Sequence, residues 1–235
     1  MTRLELARFI DQTLLSPCAT EDEVASFCEE AKARHFAAVC VNPRFVSQTV
    51  AILNGTDTRV CTVIDFPLGA GGIDSKTLQA DLAISSGAGE VDYVVDLSLV
   101  KAHEWQRLSN ELTVIAKSAA EAAMFSEKRG QVTTKLILET CYLADDEIVQ
   151  CCLSAKSAGF DFVKTSTGFA ATSSNGATLH AVELMRRTVG DAMGVKASGG
   201  IRTTQQALDF IAAGANRLGT SSGVKILEGL GEILS

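Results

Sequence analysis

The sequence predicts an α/β chain closed as a TIM (β/α)8 barrel, a single domain over residues 1–235 with a short N-terminal helix. Three observations carry this expectation. Short β-rich apolar runs alternate with longer segments of helical period, as repeated βα units around a parallel sheet require. The runs number eight. A chain of 235 residues, 46% of them apolar, is also long enough for one well-cored domain of this kind. Periodicity alone leaves a doubly wound open sheet as the alternative.

The N-terminal stretch MTRLELARFIDQT spaces Arg3, Glu5 and Arg8 among apolar residues at helical intervals, then enters the first strand, FIDQT around Ile10. EDEVASFCEEAKAR follows as a helix, and AAVCVN (37–42) and RVCTVIDF (59–66) as the second and third strands. SKTLQADLAISSGA reads as the next helix, EVDYVVDL (90–97) as the fourth strand and EWQRLSNELTVIAKSAAEAA as a long helix. TTKLILET (133–140), DFVKTST (161–167), GVKASG (194–199) and NRLGTS (216–221) complete the strands. The helices between them are ADDEIVQCCLSAKSAG, ATLHAVELMRRTVG and TTQQALDFIAAGA. Gly87, Gly159, Gly190 and Gly214 end four helical stretches, where left-handed caps belong. Pro17, Pro43 and Pro67 fall just beyond strands, where loops start.

Composition narrows the function. The formal net charge is −7, with 21 Lys+Arg against 28 Asp+Glu and no basic run, which argues against a nucleic-acid surface. Any bound anion must therefore be held by a local site against the overall field. The seven cysteines, Cys18, Cys28, Cys40, Cys61, Cys141, Cys151 and Cys152, form no CxxC pair, and their odd number suits core packing in a reducing compartment. The N-terminus lacks a signal-peptide apolar region, and no stretch reaches the ~18 apolar residues of a membrane span. A cytoplasmic chain without membrane attachment is expected. His35, His103 and His180 lack metal-ligand spacing, so no metal site is expected, and no Ser–His–Asp arrangement supports hydrolysis.

In a barrel of this type chemistry gathers at the C-terminal ends of strands, which gives polar residues late in a run a special status. Alternation puts Phe162, Lys164 and Ser166 on one face of the sixth run, Lys196 and Ser198 on one face of the seventh, and Asp92, Val94 and Asp96 on one face of the fourth. Apolar residues between them cover the helices, so Lys164, Lys196 and Asp92 should converge inside the barrel. A buried ammonium is costly unless compensated, and a satisfied lysine–aspartate pair without chemistry is one reading. Two lysines on neighbouring strands, however, exceed what one carboxylate needs. With strands ~4.8 Å apart the amines come to ~6 Å, where repulsion at an effective dielectric near 20 is about 3 kcal/mol. Desolvation acts in the same direction, so one of the two amines can lose its proton near neutral pH and attack a carbonyl. The resulting iminium is an electron sink, and the carboxylate can move protons.

The sixth, seventh and eighth strands run into STGF (166–169), SGGIRT (198–203) and GTSSG (219–223). Glycine-rich loops after the last two strands of this fold, opening helices, bind phosphate through backbone N–H groups. Gly199, Gly200, Arg202, Gly219, Ser221 and Ser222 form the candidate cradle, with Gly168 from the sixth; ordinary strand-to-helix turns are the alternative. No match to GxGxxG or GxxxxGK appears there, which disfavours a nucleotide.

At these residues the sequence resembles the deoxyribose-phosphate aldolase family, class I aldolases of TIM-barrel fold. IDQTLL, AAVCVNPRFV, TVIDFPLG, GAGEVDYVVD, KLILET, DFVKTSTGF, VKASGGIRT and LGTSSG follow in the family's order over nearly the whole chain. The resemblance implies that Lys164 forms the Schiff base and that Asp92 and Lys196 relay protons. It implies a phosphorylated-sugar substrate, 2-deoxy-D-ribose 5-phosphate, cleaved reversibly to acetaldehyde and D-glyceraldehyde 3-phosphate, with no metal or organic cofactor. The sequence departs from the family where Gln12 replaces a common His and Asp96 a common Asn, and Phe169 stands where some members have a phosphate-contacting Lys. Barrels of this kind often dimerise, which makes a homodimer one assembly open to the chain, but the sequence does not give the oligomeric state.

Four further residues are pocket candidates. Lys135 faces the same way as Glu139 on the fifth strand, and family members also carry a lysine there. Asp11 and Thr13 end the first strand, where they can orient a proton relay or simply shape a turn. Cys40 ends the second strand within reach of an aldehyde, although packing is its plainer role. Two rival readings stay open: a Schiff-base barrel acting on another sugar phosphate, and a phosphate-binding barrel whose lysines are structural.

Overall fold

The computed structural model describes residues 1–126, 132–172 and 175–233. Eight parallel strands pair in chain order and the last closes on the first, which decides for the barrel over the open sheet. They are β1 Ile10–Leu14, β2 Ala38–Val41, β3 Arg59–Ile64, β4 Glu90–Val94, β5 Thr133–Ile137, β6 Phe162–Lys164, β7 Gly194–Ser198 and β8 Arg217–Thr220. The helices around them are α1 Arg3–Ala7, α2 Glu21–Ala33, α3 Val46–Ile52, α4 Gly72–Ser85, α5 Leu97–Lys101, α6 Trp105–Phe125, α7 Asp145–Ala158, α8 Leu179–Val189, α9 Thr204–Ala212 and α10 Gly223–Ile233.

Local chemistry sets the helix ends. Thr2 with Glu5, Thr20 with Glu23 and Thr203 with Gln206 make capping boxes that satisfy the first amides of α1, α2 and α9. The four glycines expected after helices all take positive φ, with Gly159 capping α7 at 89°. Seven-residue α3 and five-residue α5 are too short to show a period and were not foreseen.

Several strands stop earlier than expected. The fourth ends at Val94 rather than residue 97, the fifth at Ile137 rather than 140, and the sixth at Lys164 rather than 167. Beyond these points the chain leaves the ladder. Asp96 turns its carboxylate back to accept from the amides of Ser98 and Leu99 and cap α5. Glu139 adopts a left-handed φ of 55°, as Asp65 does at 52° just past β3. The segments after the strands thereby become the mouth of the barrel.

Apolar burial forms two bodies. The larger lies between sheet and helices and includes Val39, Val91, Tyr93, Leu136, Val163, Val195 and Leu218 from the outward-facing strand positions. The smaller lies inside the barrel, where Leu15, Ala38, Cys40, Cys61 and Val63 fill the β1–β3 side. The β4–β8 side of the interior is charged. One charged pair also lies outside the barrel: fully buried Lys76 on α4 reaches Glu111 of α6 at 2.5 Å. Glu111→Ala is expected to cost about 1–3 kcal/mol, because it removes the nearer partner of that ammonium and leaves it only Asp65 at 3.8 Å, read as a lower urea midpoint. The double change Lys76→Met with Glu111→Leu should recover most of the loss. No described helix is long and apolar enough to cross a membrane.

Candidate active site

Register brings the inward-facing residues together. Lys164 pairs with Lys196 across β6 and β7, and Asp92 with Lys135 across β4 and β5. Asp92 lies at the centre of the charged half. Its Oδ2 accepts from Lys164 Nζ and Lys196 Nζ, each at 2.9 Å, while its Oδ1 accepts from Lys135 Nζ at 2.9 Å. Two ammonium nitrogens on one oxygen lie within twice that distance of each other, as the strand spacing anticipated. The proximity of Lys164, Lys196 and Asp92 is therefore as expected, but the compensation is richer. Lys196 also reaches Asp11 at 2.5 Å, and Lys135 reaches Glu90 at 2.6 Å. Arg217 pairs with both Asp11 and Glu90.

The electrostatics follow from this geometry. Burial by itself would raise the Asp92 carboxyl, but Lys135, Lys164 and Lys196 outweigh it and hold it well below the usual carboxylate range. Asp11 is lowered in the same way, against burial, by Arg217 and Lys196. Burial opposes the charged form of Lys196, yet Asp11 and Asp92 raise its titration above the ordinary lysine value. Asp92 and Asp11, being depressed, contribute stability that is complete above the unfolded carboxylate value and is lost as pH falls toward the folded one. Lys196, being raised, contributes stability that is complete below the unfolded lysine value and is lost as pH rises through the folded one. Asp11, Asp92 and Lys196 are thus ionised across the neutral range.

A cavity of about 340 Å3 opens at the C-terminal ends of β1, β6, β7 and β8. Lys164 lies at its floor with Thr13 and Thr167 beside it, and Gly199, Gly200, Arg202, Gly219 and Ser221 form the opposite wall. Phe169 sits at the mouth, edge to face with Phe66 at 5.2 Å between ring centres. A roomier cleft of about 790 Å3, between Asn54, Arg59, Gly87 and Asp161, lies toward the strands' N-terminal ends and is lined by no lysine.

Of the cradle residues expected from sequence, Gly168 and Ser222 do not line this cavity. Gly168, at φ 81°, packs behind Gly199, and the Ser222 amide donates to Thr220 Oγ1 instead. Gly199 is constrained twice, by φ 87° and because a Cβ there would come within 2.9 Å of the Gly176 Cα. Gly219 faces inward, and a Cβ on it would lie 3.2 Å from Lys196 Cε, so its bareness makes room for that lysine.

The remaining pocket candidates divide. Thr13 lines the cavity, whereas Asp11, Cys40 and Lys135 are fully buried below it. For Lys135 and Asp11 the reason is that Glu90 and Arg217, at the strand starts deeper in the barrel, draw them down. Cys40 sits in the apolar half with Cys61 alongside, and the hydrogen bond between the two thiols lowers Cys40. The two departures at Gln12 and Asp96 are structural. Gln12 Oε1 accepts from the Gly223 amide and ties β1 to the start of α10, and Asp96 caps α5.

Sequence reasoning missed Glu90, Arg217 and the work of Glu139. The first two stand at strand starts, positions usually structural in this fold. Glu139, nearly fully buried, accepts from the amide and hydroxyl of Thr167 and so fixes the loop after Lys164. Burial raises its carboxyl despite those bonds. Its placement beside Lys135 in the run TTKLILET was the available signal. Cys40, Cys61 and Asp92 offer three ligand atoms within 4.8 Å of one another, the sole such group among the described residues. Three ammonium groups already occupy that carboxylate, so the donor set does not suit a cation.

The family model described as DeoC/LacD family aldolase matches residues 6–229. A deoxyribose-phosphate aldolase of Caldanaerobacter subterraneus subsp. tengcongensis is 46% identical over 225 residues, 96% of this chain and 93% of that one. Another, from Thermococcus kodakarensis, is 47% identical over 231 residues, 97% of this chain and 98% of its own. The solved deoxyribose phosphate aldolase of Aeropyrum pernix, a tetramer, superposes with a TM-score of 0.87 at 33% identity, covering 99% of this chain and 93% of that one.

Proposed function

Because the chain belongs to the DeoC/LacD family of aldolases, we propose that it cleaves 2-deoxy-D-ribose 5-phosphate reversibly to acetaldehyde and D-glyceraldehyde 3-phosphate through a Schiff base on Lys164. The observation that carries this reading is that Lys164, alone of the three lysines on Asp92, lines the cavity.

In the cleavage direction the neutral Lys164 amine adds to the sugar aldehyde, and the carbinolamine loses water to give an iminium. Removal of the proton from the C3 hydroxyl then breaks the C2–C3 bond. The electron pair of that bond flows into the iminium, leaving an enamine on Lys164 and releasing glyceraldehyde 3-phosphate. Protonation of the enamine carbon and hydrolysis return acetaldehyde and the free amine. Asp92 and Lys196 share the oxygen nearest Lys164 and serve as the proton relay. The Arg202 guanidinium and the loops at Gly199–Gly200 and Gly219–Ser221 are suited to the phosphate by charge and by backbone N–H groups. This local positive site offsets a chain charge of −7.

The odd number of cysteines supports action in a reducing compartment, the cytoplasm. The tetramer formed by the Aeropyrum pernix relative supports self-association. The test is to incubate the protein with acetaldehyde, reduce with borohydride and map the product by peptide mass. An ethyl-sized adduct on Lys164, with acetaldehyde release from 2-deoxyribose 5-phosphate, is expected. An adduct on another lysine would reassign the nucleophile, and none would favour the binding-barrel reading.

A further inference from the structure

The ion pairs inside the barrel form a closed circuit. Arg217 Nε donates to Asp11 Oδ1 at 2.6 Å, and Asp11 Oδ2 lies 2.5 Å from Lys196 Nζ. Lys196 donates to Asp92, Asp92 accepts from Lys135 in turn, and Lys135 donates to Glu90 at 2.6 Å. Glu90 accepts from Arg217 Nη2 at 2.8 and 3.0 Å, which returns to the starting residue. Cations Arg217, Lys196 and Lys135 alternate with anions Asp11, Asp92 and Glu90, so the circuit is neutral. Lys164 hangs from Asp92 outside it, a seventh member that the circuit does not pair, with the Glu139 carboxyl on the loop side.

We propose that Glu90 and Arg217, which do not line the cavity, are positioning residues that complete this neutral circuit and so leave Lys164 as the one cation the interior does not need. The inference rests on the Schiff-base role given above to Lys164. A buried group gives up its charge most readily where the surrounding charges already balance. Were Arg217 neutral, the circuit would carry one excess negative charge and the Lys164 ammonium would be required to offset it. Were Glu90 neutral, the circuit would carry one excess positive charge and the ammonium would be expelled more readily. The titratable and charged groups around Lys164 are Asp11 on β1, Cys40 on β2, Cys61 on β3, Asp92 on β4, Lys135 and Glu139 on and after β5, Lys196 on β7 and, across the cavity, Arg202 after β7. Arg59, 4.0 Å from Glu90, is more than half exposed, and solvent screens it.

The test is the pH dependence of the initial rate of borohydride-trapped acetaldehyde adduct on Lys164. At an effective dielectric near 20, one unit charge roughly 10 Å away corresponds to about one pH unit. Arg217→Gln is expected to move the rising limb of the profile to higher pH by about that amount, and Glu90→Gln to lower pH. Arg217→Lys, which keeps the charge, should leave the limb near its wild-type position. If a single variant does not fold, the doubly neutral Glu90→Gln/Arg217→Gln protein, balanced again, should fold and give a near-wild-type profile. Variants that lose rate while their limbs stay put, or move the same way, overturn the proposal, as does a double variant that does not fold or is displaced as far as either single change. An absent adduct in the wild-type protein overturns the Schiff-base reading itself, and this inference with it.

Discussion

Lys164→Ala is expected to abolish the trapped adduct and to lower kcat/KM on 2-deoxyribose 5-phosphate by more than about 10^4-fold. Covalent catalysis has no substitute nucleophile in this site. Lys196 and Lys135 are each held between two carboxylates and do not line the cavity. Removing Lys164 takes away only the surplus member of the charge network, so the fold should survive. The measurement is peptide mapping after reduction, with thermal unfolding of the same preparation. A variant that keeps its Tm, keeps its turnover and gains an adduct elsewhere would show that another amine is the nucleophile. Lys164→Arg is expected to be equally inactive, because a guanidinium keeps its proton at every accessible pH.

Asp92→Asn should have the second largest effect, and on two quantities at once. The carboxylate is fully buried and accepts from three ammonium groups. Its neutralisation leaves a buried excess of positive charge, expected to cost about 3–5 kcal/mol of stability. Loss of the proton relay should lower kcat by about 10^2- to 10^4-fold. The two steps separate experimentally. Iminium formation, read by trapping, should persist in part, because an extra positive charge nearby favours the free amine. Exchange of the acetaldehyde methyl protons with deuterated solvent, which requires the enamine, should fall much further. Equal losses in both readouts would mean that Asp92 only maintains the shape of the site.

The interior charges are the part of the fold most directly written in the chain. Lys164, Lys196 and Asp92 were legible because each interrupts an apolar run at a position whose parity directs it inward. Neighbouring strands bring such residues together without further information. The loops at Gly199–Gly200 and Gly219–Ser221 were legible because glycine clusters after late strands have a known physical use. Lys135 was legible as a residue but not in its position: the structure puts it beneath the cavity, not in the wall. Parity fixes the face of a strand and says nothing of depth, which depends on where Glu90 and Asp92 lie across the barrel.

The eight strands, the four glycine helix ends and the three residues proposed for the chemistry are written in the chain, because alternation, capping and burial costs act over a few residues. Closure of the sheet, and with it the circuit through Glu90, Arg217 and Asp11, emerges only when the chain has folded. Arg217 meets Asp11 across the β8–β1 seam and Glu90 across the interior, at separations of 206 and 127 residues. No local pattern encodes such a contact. Closure forces these charges into one water-poor space, where each must find a partner or lose its charge.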